Sequence, residues 1–142
     1  MRTVRQLLEA KTPDLFAVAP DAPVIDANRL MAAKGIGAVL AMDGSRLVGI
    51  LSERDHARKI VLEGRSSKDT PVSAIMTAQV ITVGPDHIVP DCMQIVTRNR
   101  IRHLPVIENG AVVGKISIGD QVAAVIEDQQ HELDQLQRYI AG

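Results

Sequence analysis

The chain repeats itself without a gap at an offset of 65 residues, and no other feature limits its fold so strongly. Gly49-Ile50-Leu51-Ser52-Glu53-Arg54-Asp55 returns as Gly114-Lys115-Ile116-Ser117-Ile118-Gly119-Asp120, with glycine, hydroxyl and carboxylate in register. The match extends outward. Thr12 pairs with Thr77, Val18 with Val83, Pro20-Asp21 with Pro85-Asp86, Val24 with Val89, Asp26 with Asp91 and Ile36 with Ile101. Two units share 142 residues, so each is too small to bury its own sheet face. Pairing them about a pseudo-two-fold axis solves that problem and is expected to leave two related clefts between the halves.

Within each unit the periodicity reads β-α-β-β-α, so the class is α/β (α+β). Val4, Leu7, Leu8 and the stem of Lys11 share a face of a short lead-in helix that Pro13 ends. In the first unit a strand over 15–19 precedes a turn at Pro20-Asp21. A helix over 24–34 then carries Val24, Ala27, Leu30 and Met31 on one side, with Gly35 at its C-cap. Strands over 36–42 and 46–51 flank the turn signal Asp43-Gly44, and a helix over 53–62 follows. The second unit restarts with a short helix over 72–76 and a strand over 80–83. A helix over 89–99, strands over 102–107 and 111–117 about Asn109-Gly110, and a last helix from near Gly119 complete it. The expected organisation is a lead-in helix and linker (1–17), a first unit (18–62), a polar linker (63–71), a second unit (72–126) and a helical extension (127–142).

Composition excludes several functions. The net charge is −1 and Phe16 and Tyr139 are the only aromatic residues, so neither phosphate attraction nor base stacking argues for nucleic acid. No apolar run approaches the ~18 residues of a membrane span, and Met1 to Leu8 lack the apolar core of a signal peptide. Cys92 is alone, which fits a reducing compartment, and it aligns with Ala27 on an apolar helix face. His56, His87, His103 and His131 have no metal-ligand spacing. There is no nucleophile–base pair and no Gly-x-x-x-x-Gly-Lys-Ser/Thr loop, so no enzymatic activity and no metal are expected. What remains is the repeated Gly-x-x-Ser-x-x-Asp turn. At a strand-to-helix junction it places a hydroxyl, backbone N–H groups and a carboxylate around a helix N-terminus, which favours phosphate and offers an acceptor to ribose hydroxyls. Ser52 and Ser117 are N-caps in any reading, and Asp55 and Asp120 are equally suited to be first-turn helix acids.

Ile75-Met76-Thr77, the Val83 to Asp86 turn, Ile101-Arg102-His103-Leu104-Pro105-Val106 and the two Gly-x-x-Ser-x-x-Asp turns together resemble a tandem pair of cystathionine-β-synthase (CBS) domains, a Bateman module. The resemblance covers about residues 3–126, and is strongest to small stand-alone bacterial two-CBS proteins. It implies a cytoplasmic regulatory or sensor module that binds an adenosyl ligand (AMP, ADP, ATP, NAD or S-adenosylmethionine) in the clefts and signals to a protein target in trans. It implies that Asp55 and Asp120 hold ribose, and that Ser52, Arg54, Ser117, Arg102 and His103 approach phosphate. Val18, Val39, Leu51, Val83, Leu104 and Ile116 would sandwich adenine. The first copy has Ile36-Gly37-Ala38-Val39-Leu40-Ala41 in place of the basic motif and offers Lys34, Arg54, Arg58 and Lys59 instead, so the two copies are not expected to be equal. An interaction module with vestigial clefts is the other reading.

Val122, Ile126, Gln129, Leu133, Leu136 and Ile140 form a heptad-like stripe that suits packing on the parent domain or on a second copy. Because two-CBS modules commonly pair, a homodimer contact is the expectation.

Overall fold

The computed structural model describes residues 1–11 and 15–141. Thr12, one member of a repeat match, and Pro13, the predicted end of the first helix, lie outside them. In chain order the elements are helix α1 (Val4–Glu9), strand β1 (Ala17–Val18), helix α2 (Val24–Lys34), strands β2 (Ala38–Asp43) and β3 (Arg46–Ser52), and helix α3 (Glu53–His56). Helix α4 (Val89–Asn99), strands β4 (His103–Glu108) and β5 (Ala111–Ser117), and helix α5 (Ile118–Ala141) follow. The class is mixed α/β, with two small sheets. The chain divides into two compact units, Asp14–Ile81 and Met1–Pro13 with Thr82–Gly142.

In the unit Asp14–Ile81, β1 runs parallel to β2 and β2 antiparallel to β3. Val24, Ala27 and Met31 recur at helical spacing and bury one face of α2 against Val39, Leu51 and Ile75. The expected strand over 15–19 is reduced to Ala17 and Val18, because Pro20 follows and has no N–H for a ladder. The hairpin turn is Gly44-Ser45 rather than Asp43-Gly44. Asp43 still pairs with Arg46, and Gly44 takes the left-handed φ of 62°. The predicted helix over 53–62 begins as α3 and continues as a π-helical stretch, Ala57–Val61. The predicted short helix over 72–76 is one 3-10 turn, Val72–Ala74.

In the other unit the Thr3 hydroxyl and the Gln6 side chain form a capping box on α1. The Val4 and Arg5 N–H groups donate to the carbonyls of His87 (2.8 Å) and Pro85 (2.9 Å), so the lead-in helix is anchored by backbone. The expected strand over 80–83 contracts to a single bridge, Val83 to Val106, again with a proline two residues on. β4 and β5 pair around Asn109-Gly110, both with positive φ (53° and 78°), as a two-residue hairpin turn of the mirror-image kind requires. Cys92 is fully buried on α4, as its apolar position predicts.

The repeat is visible in irregularities as well as in regular elements. Both hairpins carry a register shift at the same place, between Ala41 and Met42 and between Val106 and Ile107. Helices α2 and α4 both end on a left-handed residue, Gly35 (φ 63°) and Arg100 (φ 54°), and the next N–H, of Ile36 or Ile101, closes back on Met31 or Val96 at 3.1 Å.

Candidate functional site

The repeated turn builds the same structure twice. At the end of β3 the Ser52 hydroxyl accepts from the Asp55 N–H (3.2 Å), while Asp55 Oδ2 accepts from the Ser52 N–H (2.9 Å) and hydroxyl (3.1 Å). At the end of β5 the Ser117 hydroxyl accepts from the Asp120 N–H (3.1 Å), and Asp120 Oδ2 accepts from the Ser117 N–H (2.8 Å). Each is a reciprocal capping arrangement with aspartate three residues after serine. A carbonyl fills another donor in both copies: Gly37 accepts from Glu53 (3.0 Å) and Arg102 from Ile118 (2.8 Å). The first turns of α3 and α5 therefore spend most of their N–H groups on their own scaffold.

The aspartates differ in their cations. Lys59, one turn along, lies 3.5 Å from Asp55 Oδ1 and donates to the Ile75 carbonyl (2.9 Å). Asp120 Oδ2 instead receives Lys11 Nζ at 2.9 Å, and that ammonium also donates to the Lys115 carbonyl (3.0 Å). Burial raises the Asp120 carboxyl, but the Ser117 N–H and the Lys11 ammonium outweigh it and hold the carboxyl below its ordinary range. The side chains of Asp55 and Asp120 keep 17% and 29% of their surface, so both carboxylates remain within reach of a ligand.

The glycine of each motif serves packing. A Cβ on Gly49 would lie 2.4 Å from the Met76 sulfur, and one on Gly114 would lie 2.5 Å from Leu8 Cδ2. These glycines let a side chain lie against the sheet where the strand bulges. Gly119, inside the second turn, is less confined than Gly49 and Gly114: the nearest atom to its missing Cβ is the Ser117 hydroxyl oxygen at 3.5 Å, an ordinary contact.

Of the expected phosphate partners, Arg54 and Arg102 are exposed, and half-buried His103 stands opposite Ser117 in the ladder. Lys34 is drawn aside over the Phe16 ring, 5.1 Å from its centroid. Of the six aliphatic positions expected around adenine, Val18 is half-buried. Val39, Leu51, Leu104 and Ile116 have no exposed surface and Val83 keeps 3%. Sequence reasoning missed the role of Lys11, whose partner is 109 residues away and leaves no local signal. The Lys59–Asp55 contact was visible as an i,i+4 pair.

The stripe predicted on the last helix faces away from its own unit. α5 buries Gln121 and Ala124, whereas Val122, Ile126, Leu133, Leu136 and Ile140 are exposed. Arg2 pairs with Glu127 (2.7 Å) and Asp128 (3.1 Å), and every residue from Gln129 to Ala141 is exposed. The stripe is thus left uncovered by its own unit in the described residues. Among them there is also no group of three or more His, Cys, Asp or Glu side chains suited to a metal. Among the described residues no helix is long and apolar enough to cross a membrane.

The family model of the CBS domain matches the chain twice, over residues 4–60 and 72–120. A mitochondrial CBS domain-containing protein of Arabidopsis thaliana is 44% identical over 127 residues, which are 86% of this chain and 62% of that protein. This chain thus spans less than two thirds of that relative. Among solved structures, a CBS-domain protein of Burkholderia ambifaria is 50% identical, with a TM-score of 0.87 over 90% of this chain and 96% of that one. A CBS domain protein of Pyrobaculum aerophilum, solved in complex with AMP, is 28% identical, with a TM-score of 0.75 over 84% and 89% of the two chains.

Proposed function

The chain belongs to the CBS-domain family, with two copies in tandem, and on that premise we propose that it is a regulatory module that binds an adenine nucleotide and does not turn it over. The observation that carries the reading is the pair of Ser–Asp turns, built alike and each with an accessible carboxylate beside a helix N-terminus. The AMP complex of the related Pyrobaculum protein supports the choice of ligand.

In this reading Asp55 and Asp120 use the carboxylate oxygen left over from capping to accept from ribose hydroxyls. Ser52 with Arg54, and Ser117 with Arg102 and His103, meet phosphate. Val18 offers accessible aliphatic surface to adenine, Val39 and Leu51 stiffen the strands of the same unit, and Val83, Leu104 and Ile116 do so in the other unit. AMP, ADP, ATP, NAD and S-adenosylmethionine share the adenosyl group this chemistry recognises. A ligand signals only if it binds two conformations unequally, and here the output acts on a protein target in trans. A homodimer, formed in the cytoplasm over the exposed stripe of α5, completes the proposal.

Titration calorimetry of nucleotide-stripped protein against AMP, ATP, NAD and S-adenosylmethionine tests it. Saturable binding that Asp55→Ala or Asp120→Ala abolishes at one site, with circular dichroism unchanged and the nucleotide intact afterwards, is the expected result. A second reading, an interaction module with vestigial sites, draws on the capping bonds that already occupy both aspartates. Absence of binding by every adenosyl compound would establish it in place of the first.

A further inference from the structure

Helix α5 is 24 residues long, and every residue of it from Gln129 onward is exposed. Its stripe, Val122, Ile126, Gln129, Leu133, Leu136 and Ile140, lies beyond residue 120, where the match to the CBS-domain model stops. Gln121 and Ala124 turn toward the unit, and Arg2 holds Glu127 and Asp128. The unit therefore occupies other sides of the helix and leaves the stripe clear along its length. Ser117 caps the helix, which exceeds the ~12–15 residues at which an isolated helix is marginal. The stripe is thus presented on a helix that is already formed.

The residues in and beside the stripe select its occupant. Glu127, Asp128, His131, Asp134 and Arg138 fall on outer heptad positions, and Val125, Gln130, Glu132 and Gln137 border the stripe. A border so poor in charge suits an identical helix better than a strongly basic or acidic one. Ile126 and Ile140 take one core position of the heptad and Leu136 the other, an assignment that favours two parallel strands. Gln129 is the polar residue of the stripe, and it decides the direction. Gln130 and Gln135 bond along their own helix to Asp134 (3.0 Å) and His131 (3.1 Å), whereas the Gln129 amide has no side-chain partner among the described residues. In a same-direction pair it meets Gln129 of the second copy, and each amide supplies both a donor and an acceptor. In an opposite-direction pair over the whole stripe Gln129 is buried against Leu133 without a partner, and Glu132 meets Glu132; both cost free energy. The same-direction pair instead brings Glu132 to Gln137.

We infer that α5 pairs with α5 of a second copy, parallel and in register from Val122 to Ile140, with the two Gln129 amides bonded to each other between the apolar layers. Identical residues meet across a two-fold axis, so the contact closes at two chains. This inference rests on the homodimer of the reading above and gives that contact its geometry.

The test uses the full chain in a Cys92→Ala background, alanine being what the first copy carries at that position, Ala27. Sedimentation equilibrium should find a dimer, and Leu133→Glu/Leu136→Glu should weaken it at least a hundredfold. Both leucines are exposed in the single chain, so the variant is expected to fold, and circular dichroism checks this. Ile140→Cys alone should form an interchain disulfide with oxidised glutathione. Mixed with Val122→Cys, it should give only links between like residues, read by mass spectrometry. Adding Gln129→Leu should let links between 122 and 140 appear, because the residue that fixes the direction is gone. Links between 122 and 140 with Gln129 in place, no link at Ile140→Cys, linking unchanged by Gln129→Leu, or a dimer that survives the two glutamates overturns this inference and leaves the homodimer standing. A protein that stays monomeric across the whole concentration range overturns both. Neither result bears on nucleotide binding, which calorimetry reads separately.

Discussion

Gly114→Ala tests whether the motif glycines are packing residues. The new Cβ would sit 2.5 Å from Leu8 Cδ2, 3.1 Å from Cδ1 and 3.3 Å from Cγ. Leu8 cannot retreat with its helix. α1 is held by the Val4 and Arg5 N–H bonds to His87 and Pro85, and by its own capping box. The side chain must leave its rotamer or the strand must shift, and overpacking of this kind costs ~1–3 kcal/mol. Leu8→Ala removes the obstructing atoms, and because Leu8 is only half-buried the cost should fall below the ~2–5 kcal/mol of a fully buried leucine. The double variant should therefore be more stable than the sum of the single effects by about 1 kcal/mol, the coupling expected of residues in contact. Urea denaturation of the four proteins, with equal m values required for the comparison, measures this. A Gly114→Ala protein within about 0.5 kcal/mol of wild type, or strictly additive effects, would refute the packing argument.

Three further outcomes follow. The Asp120 carboxyl is held below its ordinary 3.8, so its stabilisation is present above the unfolded-state pKa and is lost as pH falls below about 4. Lys11→Met, which installs the residue found at the matching position of the other copy, should cost about 1 kcal/mol at pH 7 and less at pH 3; equal losses at both pH values would count against the Lys11–Asp120 pair. Arg100→Gly should raise stability by ~0.5–1 kcal/mol in denaturant titration, since glycine adopts the left-handed cap without strain, and a loss would show that Arg100 makes a stabilising contact. Cys92 is fully buried, and burial, with Asp91 nearby, raises its thiol pKa. Its alkylation by iodoacetamide at pH 8 should be at least a hundredfold slower than that of the unfolded chain, and a rate near the unfolded one would mean that α4 opens readily.

Local chemistry made much of this protein readable in advance. The bounds of α2 and α4 agree with their apolar spacing, because helix faces and caps are written within a few residues. The Asn109-Gly110 turn follows from two residues that tolerate positive φ. The capping role of Ser52 and Ser117 needs only the aspartate three positions on. The first strand of each unit is shorter than its apolar run, because such a run does not show how many backbone partners the neighbouring strand offers. Only two residues pair in one unit and one in the other. The Gly-x-x-Ser-x-x-Asp motif stands at the strand-to-helix junctions where the sequence places it, but the need for its glycine is not written in the motif, since the atoms that require the space belong to Leu8 and to Met76.

The sequence by itself determined the duplication, the β-α-β-β-α order, the family resemblance and the two Ser–Asp turns, since each depends on residues near one another in the chain or on a comparison of the chain with itself. Only the tertiary structure decided that Lys11 reaches Asp120, that Lys34 is drawn to Phe16, and that α5 buries Gln121 and Ala124 and turns its heptad-like stripe outward. Those outcomes depend on which surfaces meet across tens of residues. A periodic pattern shows that a face is apolar, and the packing of the folded chain decides whether that face is covered.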